Sequence, residues 1–465
     1  MCPGEEACPV ADHSQTIWFE SALLEAGWAR NVRLTVSDGV IARVETDVAR
    51  AEGEDAHGPV LPGLPNLHSH AFQRGMAGLA EARGPSADSF WTWREVMYRF
   101  TERLRPDDLQ AIAAQAYVEM LESGFTRVGE FHYLHHDQGG ERFANPAEMA
   151  VAIAAAAADS GVGLTLLPVF YAHSGFGGAP PTAGQARFVN DLDGFARLLE
   201  ESRAAVAPLP GAVVGLAPHS LRAVTPDQLA ALVGLAGDLP MHIHIAEQTK
   251  EVDDCLAWSR ARPVEWLLAN APVGANWCLV HATHMTPAET EALARSGAVA
   301  GLCPITEANL GDGLFPAVEF AGAGGRFGIG SDSNVMIDAA EELRLLEYGQ
   351  RLARRTRNVL ARDAGRSTGA DLYRAAAAGG AQALGRPAAV LAVGAPADFV
   401  SLDPAHPALI ARAGDAILDS LVFAGRRDMV DGVWRAGAKL VTNGRHHRRA
   451  EIAARYRQAL EYVLA

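Results

Sequence analysis

From Val60 to Ile329 the chain alternates two kinds of hydrophobic pattern. Short, nearly continuous apolar runs recur: the stretch before His68, Thr126–Phe131, Val162–Phe170, Ala212–Ala217, Met241–Ile245, Trp277–Val280, Val299–Leu302 and Phe327–Ile329. Uninterrupted apolar runs of this length suit strands buried on both faces. Between them lie segments whose apolar positions repeat at helical spacing. In Pro106–Glu122 these are Leu109, Ile112, Ala113, Ala116, Tyr117, Met120 and Leu121, ending at Gly124. Further helices are predicted over Pro146–Asp159 with Asn145 as N-cap, over Pro226–Gly234, through Trp258 and Trp266, and over Pro287–Arg295 behind a Thr286/Glu289 capping box. Strand followed by helix, repeated, implies a parallel sheet with crossover helices. Eight such units predict a closed (β/α)₈ barrel in the α/β class.

The rhythm differs at both ends. Thr16–Phe19, Val32–Ser37 and Val40–Val44 read as strands, with Asp38-Gly39 as a hairpin turn. After helices Ala339–Arg355 and Gly369–Leu384, strand patterns return at 397–402, Met429–Trp434 and Ala438–Val441, and Glu451–Leu464 reads as a closing helix. The expected division is 1–60 and 392–447 as two halves of one small composite β-sandwich domain, 61–391 as the barrel and 448–465 as the final helix. Ser174–Gly184, rich in Gly and Pro, is a long loop.

Composition narrows the partners. A formal charge of −15 with no Lys/Arg run argues against nucleic acid. No apolar run reaches membrane-span length, and the acidic N-terminus has no apolar h-region, so a cytoplasmic location is expected. Five scattered cysteines (Cys2, Cys8, Cys255, Cys278, Cys303) without a CxxC fit a reducing compartment.

Chemistry collects at the strand ends. Pro62-Gly63-Leu64-Pro65-Asn66-Leu67-His68-Ser69-His70 places two histidines at i and i+2, so a strand aims both rings the same way. Each later run is apolar until its C-terminal end, where Glu130/His132/Tyr133, Tyr171/His173, His219, His242/His244/Glu247, His281/His284 and Asp332 appear in turn. In a barrel these ends converge on the face where active sites are built. Three histidines and a carboxylate suit one divalent ion, Zn²⁺ ahead of Fe²⁺, with a position left for water. His68, His70, His244 and Asp332 are the expected ligands; of His242 and His244, the latter lies nearer the strand end. A water held there would be acidified toward neutrality. Glu247 is then the proton carrier, and His281 polarises the electrophile or stabilises charge at the water; Asp332 joins both sets.

These residues resemble the amidohydrolase superfamily, in its deaminase-like branch: HxH after strand one, His244-x-x-Glu247 after strand five, His281 after strand six and Gly330-Ser331-Asp332 after strand eight. Binuclear members bridge their metals with a carboxylated lysine at strand four; here that strand ends Ala217-Pro218-His219, which implies one metal. Longer stretches resemble the formimidoylglutamate deiminases: Leu67–Gly75, Phe90–Arg94, Glu130–His135, Ala217–Arg222 and Cys303–Gly313. The resemblance implies hydrolytic deimination of N-formimino-L-glutamate to N-formyl-L-glutamate and ammonia in histidine degradation, by a homodimer. It also implies a pocket lined by Gln73, Arg94, Tyr133, His219 and Arg222. Two substrate carboxylates inside so acidic a protein call for local arginines, since guanidinium binds carboxylate bidentately. Trp91 and Trp93 read as packing residues. Two other readings compete: a deaminase of the same branch acting on a cyclic nucleobase-like substrate, which needs no arginine pair, and a non-catalytic scaffold, which has no need of an intact ligand set.

Overall fold

A computed structural model describes residues 14–84 and 90–465; Cys2, Cys8 and the acidic N-terminus lie outside the described residues. The predicted barrel is present. Its strands are Leu64–Ser69, Phe125–His132, Gly163–Phe170, Val213–Val214 with Ala217–Pro218, Met241–Ile245, Trp277–His281, Val299–Leu302 and Arg326–Ile329. Neighbouring strands pair in parallel, and Ile329 opposite Asn66 joins the eighth to the first. The remaining seam closes through parallel bridges Leu216–Met241 and Ser220–His244. His244 N donates to His219 O there at 3.1 Å.

The fourth strand is broken, and the reason is steric. A Cβ on Gly215 would lie 2.4 Å from Pro240 O, so only glycine permits the approach. Val213 and Val214 pair with the third strand, Leu216 then turns to the fifth, and Ala217–Pro218 returns to the third. Inside the barrel Leu67, Cys278, Val280, Val299, Cys303, Ala383 and Leu384 form their own apolar cluster, so the barrel is a packed core rather than a pore.

The helices form where their caps predict. Thr225 and Thr286 close capping boxes with Gln228 and Glu289, each with proline in the first turn. The helix expected from Pro146 begins at Glu148, because the Asn145 side chain accepts from Ala147 N at 2.9 Å and forms a turn before it. Five helices among the described residues were not anticipated: Phe90–Thr101, Leu192–Val206, Pro304–Leu310, Ala317–Gly322 and Asp415–Phe423. No helix among them is long and apolar enough to cross a membrane.

Both chain ends build one mostly antiparallel eight-stranded sheet. Gln15–Leu24, Gly27–Ser37, Val40–Glu45 and Ala56–Pro62 come from the N-terminal side, and Phe399–Leu402, Val430–Arg435, Ala438–Thr442 and Arg445–His446 from the C-terminal side. The halves meet where Phe399 pairs with Pro62. Ile17, Phe19, Leu34, Phe399 and Trp434 form its core, separate from the barrel's. Ala56–Pro62 leads directly into the first barrel strand, so this sheet anchors the segment that carries His68 and His70.

Candidate active site

The ends of the first and eighth strands are locked together. Asp332 N donates to His68 O and His70 N to Asp332 O, both at 2.9 Å. Asn66 holds Ser331 through its side chain, and Asn334 Nδ2 donates to Ser69 Oγ, His70 O and Asp332 O. Asp332 is held at φ 45° and His281 at φ 67°, left-handed conformations that cost a non-glycine residue energy. Strain of this kind concentrates where a side chain must be aimed.

His68, His70, His244 and Asp332 bring one donor atom each to within 4.8 Å of all the others, and all four are buried. His68 Nε2 lies 3.0 Å from His244 Nε2 and 3.5 Å from Asp332 Oδ1, and His70 Nε2 lies 3.2 Å from the same oxygen. The rings are oriented from behind: His70 Nδ1 bonds Phe131 O at 2.9 Å, and His244 Nδ1 bonds His219 O at 3.0 Å. Backbone carbonyls accept only, so each ring carries its proton on Nδ1 and turns a lone pair inward. Burial pushes His68 down to about 3 and His244 well below the ordinary histidine range, which keeps both imidazoles neutral. Asp332 is held well below the carboxylate range: burial opposes ionisation, but the closely set His68 and His70 outweigh it. Converging lone pairs on neutral imidazoles beside an ionised carboxylate fit a single divalent ion.

Beside this cluster stand Glu247 and His281. His281 Nε2 is 3.9 Å from Glu247 Oε1 and 3.7 Å from Asp332 Oδ2, while its Nδ1 lies 3.2 Å from Glu307 Oε1. Burial opposes protonation of His281, yet Glu247, Glu307 and Asp332 together push it up to about 10. A divalent cation alongside would pull that value back down. Burial raises Glu247, with His281 and Arg222 opposing. The loop bearing Glu247 is fixed by Glu251, which is fully buried and accepts from Ala246 N at 3.1 Å and Glu247 N at 3.2 Å.

A cavity of about 560 Å³ opens over these groups. Gln73, Arg94, Tyr133, His219 and Arg222 all line it, together with His70, His244, Glu247, His281 and Asp332. Gln73 Nε2 donates to Tyr133 Oη at 2.8 Å, leaving buried Gln73 Oε1 without a partner. The Arg222 side chain is buried with Nε unsatisfied. Its guanidinium lies 5.6 Å from the Trp91 ring, and that of Arg94 lies 4.6 Å from the same ring. With Lys250 Nζ at 5.9 Å from it as well, Trp91 is a platform faced by three cations, more than the packing residue expected from sequence; Trp93 lines the cavity wall.

The other strand-end residues go elsewhere. His242 sits lower on its strand and bonds Ala383 O at 2.8 Å. Glu130 accepts from Ala71 N, His132 packs on His135, and His173 bonds Gln228. One residue with a share in the site was not singled out, Glu307 behind His281; Tyr171, one of the expected strand-end residues, lines the cavity with its ring 4.7 Å from that of His219. Glu307 lies in Cys303–Gly313, and only the helix Pro304–Leu310 turns it inward.

Residues 60–440 match the description Amidohydrolase family, and residues 14–58 match Formimidoylglutamate deiminase HutF, N-terminal domain. The chain is 55% identical over 452 residues to a formimidoylglutamate deiminase of Pseudomonas aeruginosa, an alignment spanning 96% of this chain and 99% of the relative. The crystal structure of an amidohydrolase from Brucella melitensis is 56% identical and superposes with a TM-score of 0.94 over 97% of this chain and 100% of that one. A 5-methylthioadenosine/S-adenosylhomocysteine deaminase of Natronomonas pharaonis is 30% identical over 388 residues, covering 79% of this chain and 80% of that protein.

Proposed function

The chain belongs to the amidohydrolase family, and we propose that within it the protein is a formimidoylglutamate deiminase, hydrolysing N-formimino-L-glutamate to N-formyl-L-glutamate and ammonia. The observation that carries this reading is the pair of cavity arginines on Trp91, on the same cavity as the His/Asp cluster. A substrate with two carboxylates at one end and a formimino carbon at the other matches that layout. A cyclic nucleobase would leave both guanidiniums without a counter-charge. The intact cluster of His68, His70, His244 and Asp332 speaks against a scaffold.

In this reading His68, His70, His244 and Asp332 hold one divalent ion, which we assign as Zn²⁺ from the ligand types. When bound, that ion supplies Lewis acidity and lowers the pKa of water at the site. Arg94 and Arg222 take the carboxylates, Tyr133, Gln73 and His219 line the pocket about the chain of the substrate, and the formimino carbon is presented to the water. Glu247 accepts the proton the water loses on adding to that carbon and passes it to the imino nitrogen; it then carries the adduct's remaining hydroxyl proton to the same nitrogen, so that as the carbonyl forms the C–N bond breaks and ammonia leaves. The burial that raises Glu247 makes it a better proton carrier than an exposed carboxylate. His281, held by Glu307, donates toward the oxygen as charge develops on it. We extend the proposal to a cytoplasmic homodimer working in histidine degradation. Ammonia release from N-formimino-L-glutamate, with cytosine, guanine and adenosine as comparators, tests the reading.

A further inference from the structure

A second charged cavity lies where the barrel meets the composite sheet, apart from the active-site cavity. It is open to solvent on one side and is lined by Thr126, Arg127, Arg386 and Asp398, with Pro65 and Pro396 among its walls; Arg435 stands outside this lining. Arg127 is buried; its guanidinium donates to Leu164 O and Gly211 O at 3.0 Å. A Cβ placed on Gly211 would meet Arg386 Nη2 at 3.6 Å and Arg127 Nη2 at 3.8 Å, so these two cations converge over one glycine. Arg435, from the sheet, donates to Pro210 O in the same loop, and its buried Nε has no acceptor.

Charge in this seam is not balanced. Three guanidiniums face one carboxylate, Asp398, whose Oδ1 is engaged by Ala436 N at 2.6 Å. None of the three forms a salt bridge among the described residues, and Arg386 makes no side-chain hydrogen bond to them. Burial, with repulsion from Arg386 and Arg435, pushes Arg127 down to about 9 against the pull of Asp398. Arg127 is buried while Arg386 and Arg435 are half-buried, and holding a cation out of water beside two others is costly unless a counter-ion offsets it. It is the more notable in a chain whose formal charge is −15.

We propose that this seam binds a small oxyanion of carboxylate or phosphate type, held by Arg386 with Arg127 and Arg435 and bridging barrel and sheet. The anion fills the acceptor positions that the protein leaves open, and charge-assisted bonds of this kind are the strong ones. The site is independent of the deiminase assignment.

Titration calorimetry of the metal-replete protein with inorganic phosphate and with L-glutamate, at fixed ionic strength, tests it. Because the active site also carries arginines, the titrations are repeated on R94M/R222M, where one anion site per chain should persist. In R386M that site should weaken about tenfold or more, with ammonia release unchanged, and R386K should recover most of the affinity. Heat with phosphate alone identifies a phosphate site, and heat with glutamate alone a carboxylate site. Equal affinity in R386M and wild type, or no anion binding in R94M/R222M, overturns the proposal.

Discussion

Replacing Arg222 with methionine removes one cation from the pocket while keeping most of the side chain's bulk. Arg222 is buried, its Nε lacks an acceptor, and it forms no salt bridge among the described residues, Glu251 and Glu247 acting on it only through space; in the proposed reading the guanidinium is left for substrate. A hydrogen bond to a charged group contributes roughly 1.5–3 kcal/mol, which corresponds to a loss of about 10- to 100-fold in kcat/KM. If Arg222 only binds, KM rises and kcat stays; if it also aligns the formimino carbon, kcat falls as well. The charge has a second effect. Arg222 is among the groups that favour ionised Glu247, so without it the pKa of Glu247 rises. The general base is then lost at higher pH, and the acid limb of the kcat profile shifts upward in R222M. The assay compares N-formimino-L-glutamate with an analogue lacking the α-carboxylate, on wild type and R222M across pH. Wild type should prefer the full substrate strongly and R222M should lose much of that preference. Equal preference in both proteins refutes the role of Arg222 and transfers it to Arg94 or His219.

E247Q should retain metal and fold yet lose about 10²–10⁴-fold in turnover, since an amide cannot carry the proton; near-full activity in metal-loaded E247Q would move the role to His281. Elemental analysis should find close to one tightly bound divalent ion per chain, and a chelator should abolish activity that Zn²⁺ restores; two tight ions per chain would contradict the one-ion assignment. G379A should lower the melting temperature sharply, because its Cβ would fall 1.9 Å from Phe327 O, backbone that cannot swing aside. Overpacking of this kind costs at least about 1–3 kcal/mol, and an unchanged melting temperature would show that the helix packs on its strand less closely than described.

The barrel was legible because buried parallel strands write themselves as apolar runs, and each run of Val162–Phe170 type is a strand in the structure. The fourth strand was only half legible: Ala212–Ala217 reads as one run, but its break depends on Pro240 approaching Gly215 from another part of the chain. The helix Leu192–Val206 could have been found, since Asp191 caps it and Phe195, Leu198 and Leu199 form its buried stripe. The Gly- and Pro-rich loop before it breaks the hydrophobic pattern just ahead of its start. At the site, the His-x-His spacing survives folding because a strand fixes it. The pairing of Arg94 with Arg222 does not: one comes from a helix after the first strand and the other from the turn after the fourth, and only tertiary structure sets both against Trp91. His242 and His244, by contrast, were separable in the sequence: periodicity places both on one face, but only His244 lies near the strand's C-terminal end, and the structure turns His242 to Ala383 O instead.

The central claim is that the two arginines and the His/Asp cluster together select a formimino-dicarboxylate. Its most direct test is the rate of ammonia release from N-formimino-L-glutamate by the metal-replete enzyme, measured beside cytosine, guanine and adenosine. The account predicts turnover of N-formimino-L-glutamate with equimolar N-formyl-L-glutamate, and kcat/KM for each comparator lower by at least the ~10–100-fold that one charge-assisted contact supplies. Deamination of a nucleobase at comparable or higher kcat/KM, with no ammonia from N-formimino-L-glutamate, would contradict it.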